Sequence, residues 1–326
     1  MGLAERRARG FVLIAVAAGL ALVAIVTAQL ALRVDGMREQ SRSVKSLVAG
    51  RAMASQAFDI TLHWILTHPS GPAWFGSPES RLMVDGRPYR LPDGTIVAVQ
   101  DQRGLLSLNL VDDELLGRLL TRWGASATQR DALLDILKDY ADTDKLRRLN
   151  GAEASDYLQR GLGSPADDWL LSAGELARMP VWRDMPGLIA HLQGLVSVRR
   201  SANLNPNVMP MALLREALPL ATAEELTLFD TLRRAGGFSD AAAVQRATGL
   251  NFARDVFVFH ASRELSVVVW APGMVRALEY QVTLSSRENL PPWLVNEIRL
   301  VPLPFDPSTD ARFEPFPSAA GQAGRP

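Results

Sequence analysis

Five carboxylates and one side-chain amide lie within eighteen residues near the middle of the chain: Asp139, Asp142, Asp144, Asn150, Glu153 and Asp156. Carboxylate and amide oxygens are hard ligands that suit calcium. The spacing is not that of an EF-hand, because the sixth position counted from Asp142 is Arg147, where that loop requires glycine. The pattern therefore predicts either a calcium site or a solvated acidic helix end in which Asp142 is a cap.

The other reactive side chains form no catalytic pattern. The chain has no cysteine, which excludes thiol catalysis, cysteine-ligated zinc and disulfides. Its four histidines are scattered, and only His63 and His68 lie within one helical turn or so of each other. No G-x-S-x-G or S-x-x-K motif is present. We therefore predict no catalytic residue and no enzymatic activity.

Residues 11–32 form an apolar run of about 22 residues without a charged side chain, long enough for a transmembrane helix across a bilayer core of about 30 Å. Arg6, Arg7 and Arg9 precede the run, which favours a cytoplasmic N-terminus and an exported C-terminal bulk. A cleaved secretory signal is the alternative, although residues 28–30 match its small-residue cleavage site poorly.

The basic leader ends in Gly10, directly before Phe11. Glycine lacks a side chain and lets an extended backbone enter a narrow peptidase site. The arrangement resembles the class III signal of type IV pilins, in which a membrane peptidase cuts after the glycine and leaves the apolar helix in place. This resemblance implies processing after Gly10 and methylation of Phe11 as the mature first residue. A simple membrane anchor with a chance Gly-Phe pair is the alternative.

The remaining pattern predicts one long helix, then strands, helices and strands again. Apolar residues at helical spacing continue to Leu66 and nothing breaks the helix before Pro69, so a single helix is expected over 11–68. Residues 69–80 are predicted to form a loop. Short strands are expected at 95–101 and 105–110, followed by helices at 114–123, 127–140, 174–179, 186–195, 209–218, 222–234 and 239–248.

Alternating apolar and polar residues then predict strands at 255–262, 264–271, 275–285 and 294–303. The order of strands, helices and strands indicates an α-domain inserted into an α+β domain. The last twenty or so residues are rich in proline, glycine and alanine, which predicts disorder.

Four stretches carry a more specific resemblance. Residues 101–109 are similar to a D-x-x-G-x-x-N-x-N strand pair, and residues 134–153 to an acidic helix and loop that ends in N-G-A-E. Glu175 and Leu176 resemble an S-x-E-L helix start, and residues 203–207 an N-x-N-T-A segment. All four motifs belong to the minor pseudopilin K family of type II secretion systems. Three features depart from that pattern: Lys145 stands in place of an acidic residue, Asn207 stands in place of threonine, and the tyrosine–asparagine turn between Tyr157 and Glu175 is not recognisable.

This resemblance implies an α+β pseudopilin fold, in which a long N-terminal transmembrane helix packs on an antiparallel sheet and a large all-α domain is inserted. The implied parts are a prepilin leader (1–10), the long helix (11–68), the first part of the pseudopilin domain (69–111), the inserted α-domain (112–250), the second part of the pseudopilin domain (251–305) and a disordered tail (306–326).

The same resemblance implies a function. A K-type subunit lies at the tip of the pseudopilus, initiates filament assembly with I-type and J-type minor pseudopilins, and supports export of folded proteins across the outer membrane. Prepilin peptidase and the inner-membrane secretion platform are further implied partners. The chain would be a single-pass inner-membrane protein with a periplasmic C-terminal domain.

Two residue-level expectations follow from the family. Ala15 occupies the fifth position of the mature chain. Major pilins carry a glutamate there, whose charge offsets the terminal ammonium of a neighbouring subunit. The absence of an acidic side chain at Ala15 suits a subunit at the filament tip, which has no neighbour above it. The family binds calcium in its α-domain. The implied ligands are Asp139, Asp142, Asp144, Glu153 and Asp156.

The leading alternative function is that of a subunit in a type IV-like pilus that binds nucleic acid for DNA uptake. Residues 223–250 are superficially like a helix-hairpin-helix, with Gly236 and Gly237 between two helices, and such a module holds a nucleic-acid backbone through glycine amides. Basic and acidic residues are mixed in this segment, and the formal net charge of the whole chain is zero. We therefore expect a packing role for the segment and no nucleic-acid partner.

Overall fold

The computed structural model describes residues 4–285, 289, 291–303, 306 and 313–317, and it leaves out the side chains of residues 4–15, 26, 31, 32, 34–36 and 38–44. The first helix, α1, runs over Ala4–Thr67. Its 64 residues correspond to about 96 Å at 1.5 Å per residue. One helix thus covers nearly all of the predicted range 11–68 and also includes most of the leader.

Among the described residues, no helix is both long enough and apolar enough to cross a membrane. The transmembrane segment at 11–32 stays a prediction from the sequence.

A six-stranded sheet is the second element of the fold. Its order is β10-β3-β4-β7-β8-β9, and all neighbouring strands are antiparallel except β10 and β3. The strands are β3 (Asp85–Arg90), β4 (Ile96–Asp101), β7 (Glu264–Trp270), β8 (Ala277–Leu284), β9 (Trp293–Val301) and β10 (Glu314–Pro315). The predicted mixture of helices with an antiparallel sheet is confirmed.

The C-terminal part of α1 packs on one face of this sheet. Ala54 and Ala57 are fully buried at the contact, and their small side chains allow the helix to approach the strands closely. Phe58 stacks on Tyr280 of β8, with ring centroids 4.1 Å apart. Valine and leucine side chains of β4 and β7 contribute to this first core, together with residues of other strands such as Tyr89 of β3 and Val282 of β8. Burial of such apolar side chains is the main stabilising term for the contact between helix and sheet.

The helical part has its own core. Its helices are α2 (Asp113–Arg122), α3 (Ala127–Ala141), α4 (Ala154–Gln159), α5 (Pro186–Leu192), α6 (Met211–Ala217), α7 (Ala223–Arg234) and α8 (Ala241–Thr248). Side-chain caps fix where several of them begin. Ser126 forms a capping box with Gln129, and Thr222 forms one with Glu225. Leucine and phenylalanine side chains from α2, α3, α6 and α7 meet in this second core.

Several local predictions were wrong. Residues 69–80 are not a simple loop, because β1 (Trp74–Ser77) and β2 (Ser80–Met83) form a hairpin there. Residues 105–110 do not join the main sheet. Instead, β5 (Leu106–Ser107) pairs in parallel with β6 (Val196–Ser197). The short helix predicted at 174–179 is present as a 3-10 helix at Ala173–Arg178, whereas α4 was not predicted.

The strand predicted at 255–262 is also absent from the described structure. The alternating apolar residues there are aromatic side chains that enter the helical core: Phe257 and Phe259 meet Phe252 edge-on, with centroid distances of 4.9 and 5.8 Å. In the tail, residues 313–317 are ordered against β3, and Phe316 packs against Tyr89 and Trp64. Apart from Asp306, the rest of the predicted disordered tail lies outside the described residues.

Buried polar side chains join the two cores, and we call Asp101, Asn205 and Asn207 the polar junction. Asp101 accepts hydrogen bonds from the backbone N–H groups of Arg103 and Ser262, each at 2.8 Å. Burial raises the pKa of Asp101, while these hydrogen bonds favour its charged form. The chain leaves the sheet after Asp101 and returns beside Ser262, so one carboxylate links the start and the end of the helical insertion.

The two asparagines of the polar junction form hydrogen bonds with backbone groups of segments that are distant in sequence. The amide of Asn205 donates to the carbonyls of Pro72 and His260, at 2.9 and 3.1 Å. Asn207 exchanges two hydrogen bonds with the backbone of Phe238, at 2.8 and 2.9 Å. A carbonyl of Val208 lies so close to Gly104 that an added Cβ would stand 2.4 Å from it. The family-like motifs at 101–109 and 203–207 therefore have a structural role.

Replacing Asn205 by alanine tests the polar junction. The change removes the donor to the carbonyls of Pro72 and His260 and leaves the buried backbone N–H of Asn207 without its acceptor, so we expect the free energy of unfolding to fall by about 2–3 kcal/mol, as for other buried groups left unpaired. Asn203 is the matched control, because it is only partly buried and makes one long hydrogen bond of 3.4 Å to Asp255. Asn203→Ala should change stability by less than about 0.5 kcal/mol. Equal losses in denaturation of the two full-chain variants would contradict the assignment.

Candidate functional site

The predicted processing residues lie in α1. Gly10, Phe11 and Ala15 belong to the helical backbone of this element, and their side chains lie outside the described part of the structure. Processing after Gly10 and the significance of Ala15 stay predictions from the sequence.

The acidic stretch lies between the end of α3 and the start of α4. Asp139 is in the last turn of α3, Asp142 follows its final residue, and Glu153 precedes the first residue of α4. Asp139 is 0% exposed and Glu153 is 8% exposed. The approach of the loop to α3 requires glycine at position 151, because a Cβ there would stand 1.8 Å from Oδ2 of Asp139. The fold thus holds two buried carboxylates at one helix end.

Arg148, which the sequence analysis did not select, is the cation of this cluster. Its Nη1 donates to Oδ1 of Asp139 and to Oδ2 of Asp142, both at 2.5 Å. Its backbone N–H also donates to Oδ2 of Asp139 at 3.1 Å. These hydrogen bonds, first to Asp142 and then to Asp139, raise the pKa of Arg148. Arg148 thus neutralises part of the charge that the two aspartates bring into the protein.

Three buried oxygens of the segment from Asp142 to Tyr157 have no hydrogen-bond partner: Oδ1 of Asp142, Oε1 of Glu153 and the hydroxyl of Tyr157. Burial, followed by repulsion from Asp139 and Asp142, raises the pKa of Glu153. Burial likewise raises the pKa of Tyr157. Buried polar groups are normally paired, so three unpaired oxygens in one place indicate an incompletely satisfied site.

Two of the five predicted ligands have other partners. Asp144 is exposed, and its Oδ1 accepts from the backbone N–H of Leu146 at 2.7 Å. Asp156 accepts from the backbone N–H of Glu153 at 3.0 Å and from Arg147 at 3.2 Å. The structure therefore brings together Asp139, Asp142 and Glu153, while Asp144 and Asp156 lie at the edge of the cluster.

Within the described residues, no three histidine, aspartate or glutamate side chains stand close enough to hold one metal ion. The chemistry of the donors nevertheless suits a hard cation, because Asp142 and Glu153 offer unpaired buried carboxylate oxygens. Arg148 separates Asp139 from Asp142 by bonding to both. The residue types suit calcium, but the described carboxylates do not stand close enough to one another to share one ion while Arg148 bonds to Asp139 and Asp142.

The segment that resembles a helix-hairpin-helix is built around buried contacts. Arg233 is buried, pairs with Asp230 at 2.7 Å and donates to the carbonyls of Pro206 and Met209 at 2.8 and 2.7 Å. Desolvation by this burial lowers the pKa of Arg233. The hydrogen bonds of the Arg233 guanidinium are therefore made to buried groups inside the protein, next to the polar junction.

Apolar side chains are also exposed at the β9 edge of the six-stranded sheet. Strand β9 is an edge of the described sheet, with β8 on one side only. Ile298 and Leu300 of β9 stand opposite Tyr280 and Leu278, two residues of the core beneath α1. Directly opposite residues share a face of the sheet, so this pair continues the apolar face next to α1. Ile298 is 57% exposed and Leu300 is 54% exposed.

Comparison with known proteins gives one family match. Residues 96–201 match the model of the family described as Type II secretion system (T2SS), protein K. This segment contains β4, the start of the polar junction and the whole acidic cluster. No curated protein matches the chain.

Among solved structures, the chain is similar to one chain of the crystal structure of the GspK-GspI-GspJ complex from the enterotoxigenic Escherichia coli Type 2 Secretion System. The two share 15% sequence identity, with 82% of this chain and 99% of that chain covered and a TM-score of 0.46. The resemblance to protein K of the type II secretion system that the sequence predicts is confirmed by this match over residues 96–201.

Proposed function

We propose that the chain is a minor pseudopilin at the tip of the type II secretion pseudopilus, where it initiates filament assembly and supports export of folded proteins across the outer membrane. The observation that carries this proposal is the uneven packing of α1. Among the residues of α1 whose burial the structure describes, the buried ones begin at Gly50, whereas the described apolar side chains between Val16 and Leu30 are exposed. An apolar helix surface of this extent requires lipid or partner helices.

We place the N-terminal part of α1 in the bacterial inner membrane, with the C-terminal domains in the periplasm. The support is the uncharged run at 11–32 and the three preceding arginines. Prepilin peptidase would cut after Gly10, and Phe11 would then be methylated. The task of such a subunit is assembly, so it involves no enzymatic step by this chain.

The mass of the N-terminal peptide tests the processing step. In a secretion-competent host we expect a peptide that begins at Phe11 and carries one added methyl group. Gly10→Val should leave the leader attached, because a branched side chain blocks the extended backbone in the peptidase site. Gly19→Ala is the matched control in the same helix, since no atom lies within 4 Å of a Cβ added there. An intact leader in the wild-type chain would contradict the proposal.

The I-type and J-type minor pseudopilins are the proposed partners, together with the inner-membrane secretion platform. The complex in the similar solved structure contains GspK, GspI and GspJ. In this chain, Ile298 and Leu300 present an apolar edge beside α1. A partner's amphipathic N-terminal helix would cover that edge and continue the helix layer formed by α1.

Substitution of the β9 edge tests this docking mode. Ile298→Asp combined with Leu300→Asp places two charges in the proposed interface, so binding to the I-type and J-type partners should weaken at least about tenfold. Both side chains are solvent-exposed in the isolated chain, and its melting temperature should change little. Leu220→Asp is the control, because Leu220 is 97% exposed in the helical part. Partner binding that equals that of the control variant would exclude this surface.

We also propose that the acidic cluster binds calcium. Asp139, Asp142 and Glu153 would hold the ion, whose positive charge would neutralise carboxylates that the fold keeps out of water. The unpaired oxygens of Asp142 and Glu153 support this assignment. The ion would stabilise the end of α3 against the start of α4.

Thermal melting of the full chain tests calcium binding. At calcium concentrations 100-fold above Kd, ligation should add about 2.7 kcal/mol and raise the Tm by roughly 5–10 °C. Glu153→Gln and Asp142→Ala should abolish this shift. Asp144→Ala should keep most of it, because Asp144 is exposed and bonds to Leu146. A chelator should reverse the wild-type shift, and an unchanged melt would contradict the proposal.

The raised pKa of Glu153 adds a pH control to this test. A carboxyl group with a raised folded-state pKa stabilises the fold at low pH and loses that contribution as the pH rises through its folded value. In calcium-free buffer, Glu153→Gln should therefore melt above wild type at pH 7. The difference should vanish below about pH 4, where the carboxyl is protonated in both the folded and the unfolded chain.

A further inference from the structure

Strand β10 attaches to the six-stranded sheet by a short contact. It pairs with β3 at two places, Glu314 with Tyr89 and Pro315 with Arg90. This pairing is parallel, whereas the other neighbouring strands of the described sheet are antiparallel. Pro315 has no backbone N–H to donate, which weakens the ladder at this edge. The position of residues 313–317 therefore depends largely on their side chains.

The side chain of Phe316 lies between two aromatic rings. Trp64 of α1 and Tyr89 of β3 each meet its ring edge-on, with centroid distances of 6.1 and 6.4 Å. Such edge-to-face contacts add to the gain from burying the ring. The backbone N–H of Phe316 donates to the carbonyl of Arg90 at 2.9 Å. We call Trp64, Tyr89 and the edge of β3 beside them the aromatic slot.

Contacts with other parts of the fold hold both rings of the aromatic slot. The indole N–H of Trp64 donates to the carbonyl of Phe75 at 3.0 Å, and its ring stacks on His68. The hydroxyl of Tyr89 accepts from the backbone N–H of Met83, also at 3.0 Å. These interactions do not involve residues 313–317. The slot is therefore preformed, and a segment that enters it does not have to reorganise the rings.

An arginine beside the aromatic slot suits an acidic ligand. The guanidinium of Arg87 bonds to Asp85 at 2.8 Å, which fixes its orientation. Its Nη1 extends outward to Glu314 at 3.2 Å. The side chain of Glu314 is 58% exposed, whereas that of Arg87 is 17% exposed. An ion pair with one exposed partner adds little affinity, but it selects the charge of the segment that binds.

We propose that the aromatic slot is a binding site for extended peptide segments and that residues 313–317 are its intramolecular ligand. The recognised pattern is an aromatic residue with a proline on each side and an acidic residue two positions before it, as in E-P-F-P at 314–317. The segment docks as an added strand on β3 and exchanges with a free peptide of the same chemistry. Strands β3 and β9 lie toward opposite ends of the sheet, so this inference does not depend on the partners proposed for the β9 edge.

Covalent attachment favours the chain's own segment over any free peptide. A tethered ligand competes at an effective concentration in about the millimolar range. A free peptide should therefore bind weakly to the wild-type chain and more tightly when the tethered segment loses its aromatic anchor. A segment that is a permanent part of the core would behave differently, because no added peptide would replace it.

The test titrates a fluorescently labelled peptide of residues 311–319 with the full chain and follows its anisotropy. We expect the peptide to bind Phe316→Ala at least about tenfold more tightly than wild type, because the slot of this variant is no longer filled. Val275→Ala is the matched control, since Val275 is 87% exposed between β7 and β8. It should bind the peptide as weakly as wild type. A peptide that itself carries Phe316→Ala should bind none of the three chains.

Equal peptide affinities of Phe316→Ala and Val275→Ala, or undiminished binding of the altered peptide, would overturn the proposal. A second measurement uses the wild-type chain and so does not depend on the folding of a variant. The N–H of Phe316 is hydrogen-bonded to Arg90, and unlabelled peptide at about millimolar concentration should speed its hydrogen exchange as the tethered segment is displaced. Exchange of the Phe316 amide that does not change with added peptide would make residues 313–317 a fixed part of the sheet.

Discussion

The fold depends on the polar junction, and above all on the carboxylate of Asp101. Strands β4 and β7 are neighbours in the sheet, yet the whole helical part lies between them in sequence. Asp101 bonds to the backbone just after β4 and to the backbone just before β7. Because these groups are buried, losing either hydrogen bond would leave a polar atom without water. The two ends of the insertion are thereby fixed next to each other, and the cores on either side keep one relative position.

The acidic cluster is held by a second set of buried polar contacts farther along the insertion. The Tyr140 hydroxyl donates to Glu175 at 2.9 Å, and Glu175 also accepts from the backbone of Leu171 and Ser172. The indole of Trp182 donates to the carbonyl of Leu133. Both contacts fix α3 near the turn that carries Asp139. The family-like motif residue Glu175 therefore acts through α3, and it positions the carboxylates without touching them.

The predictions from sequence succeeded where the signal is local. Helical spacing and side-chain caps such as Ser126 and Thr222 set α3 and α7 within one or two residues of their predicted starts. The failures involve pairing that spacing does not encode. Strand β3 contains Pro88 and Gly86 and lacks an apolar alternation, and β6 is two residues long. The alternation at 255–262 was real, but its aromatic side chains serve the helical core instead of a strand.

At the acidic cluster, too, the sequence does not reveal which side chains contact each other in the fold. The sequence indicates which residues carry oxygens, and two of the five carboxylates, those of Asp139 and Asp142, bond to the same guanidinium. It does not indicate that Arg148, one of several basic residues in the loop, would enter the cluster, because both Arg147 and Arg148 are equally near in sequence. The difference arises from burial. Arg147 meets Asp156 at the surface, whereas the approach of Gly151 to Asp139 directs Arg148 inward.

The position of Arg148 explains how the helical part can contain the fully buried carboxylate of Asp139. A completely buried Asp139 with no cation would be strongly destabilising, so some positive group must accompany it during folding. Arg148 supplies that group from within the chain, at a position that still reaches solvent. The fold therefore pairs this fully buried carboxylate from within the chain, while one oxygen each of Asp142 and Glu153 stays buried without a hydrogen-bond partner.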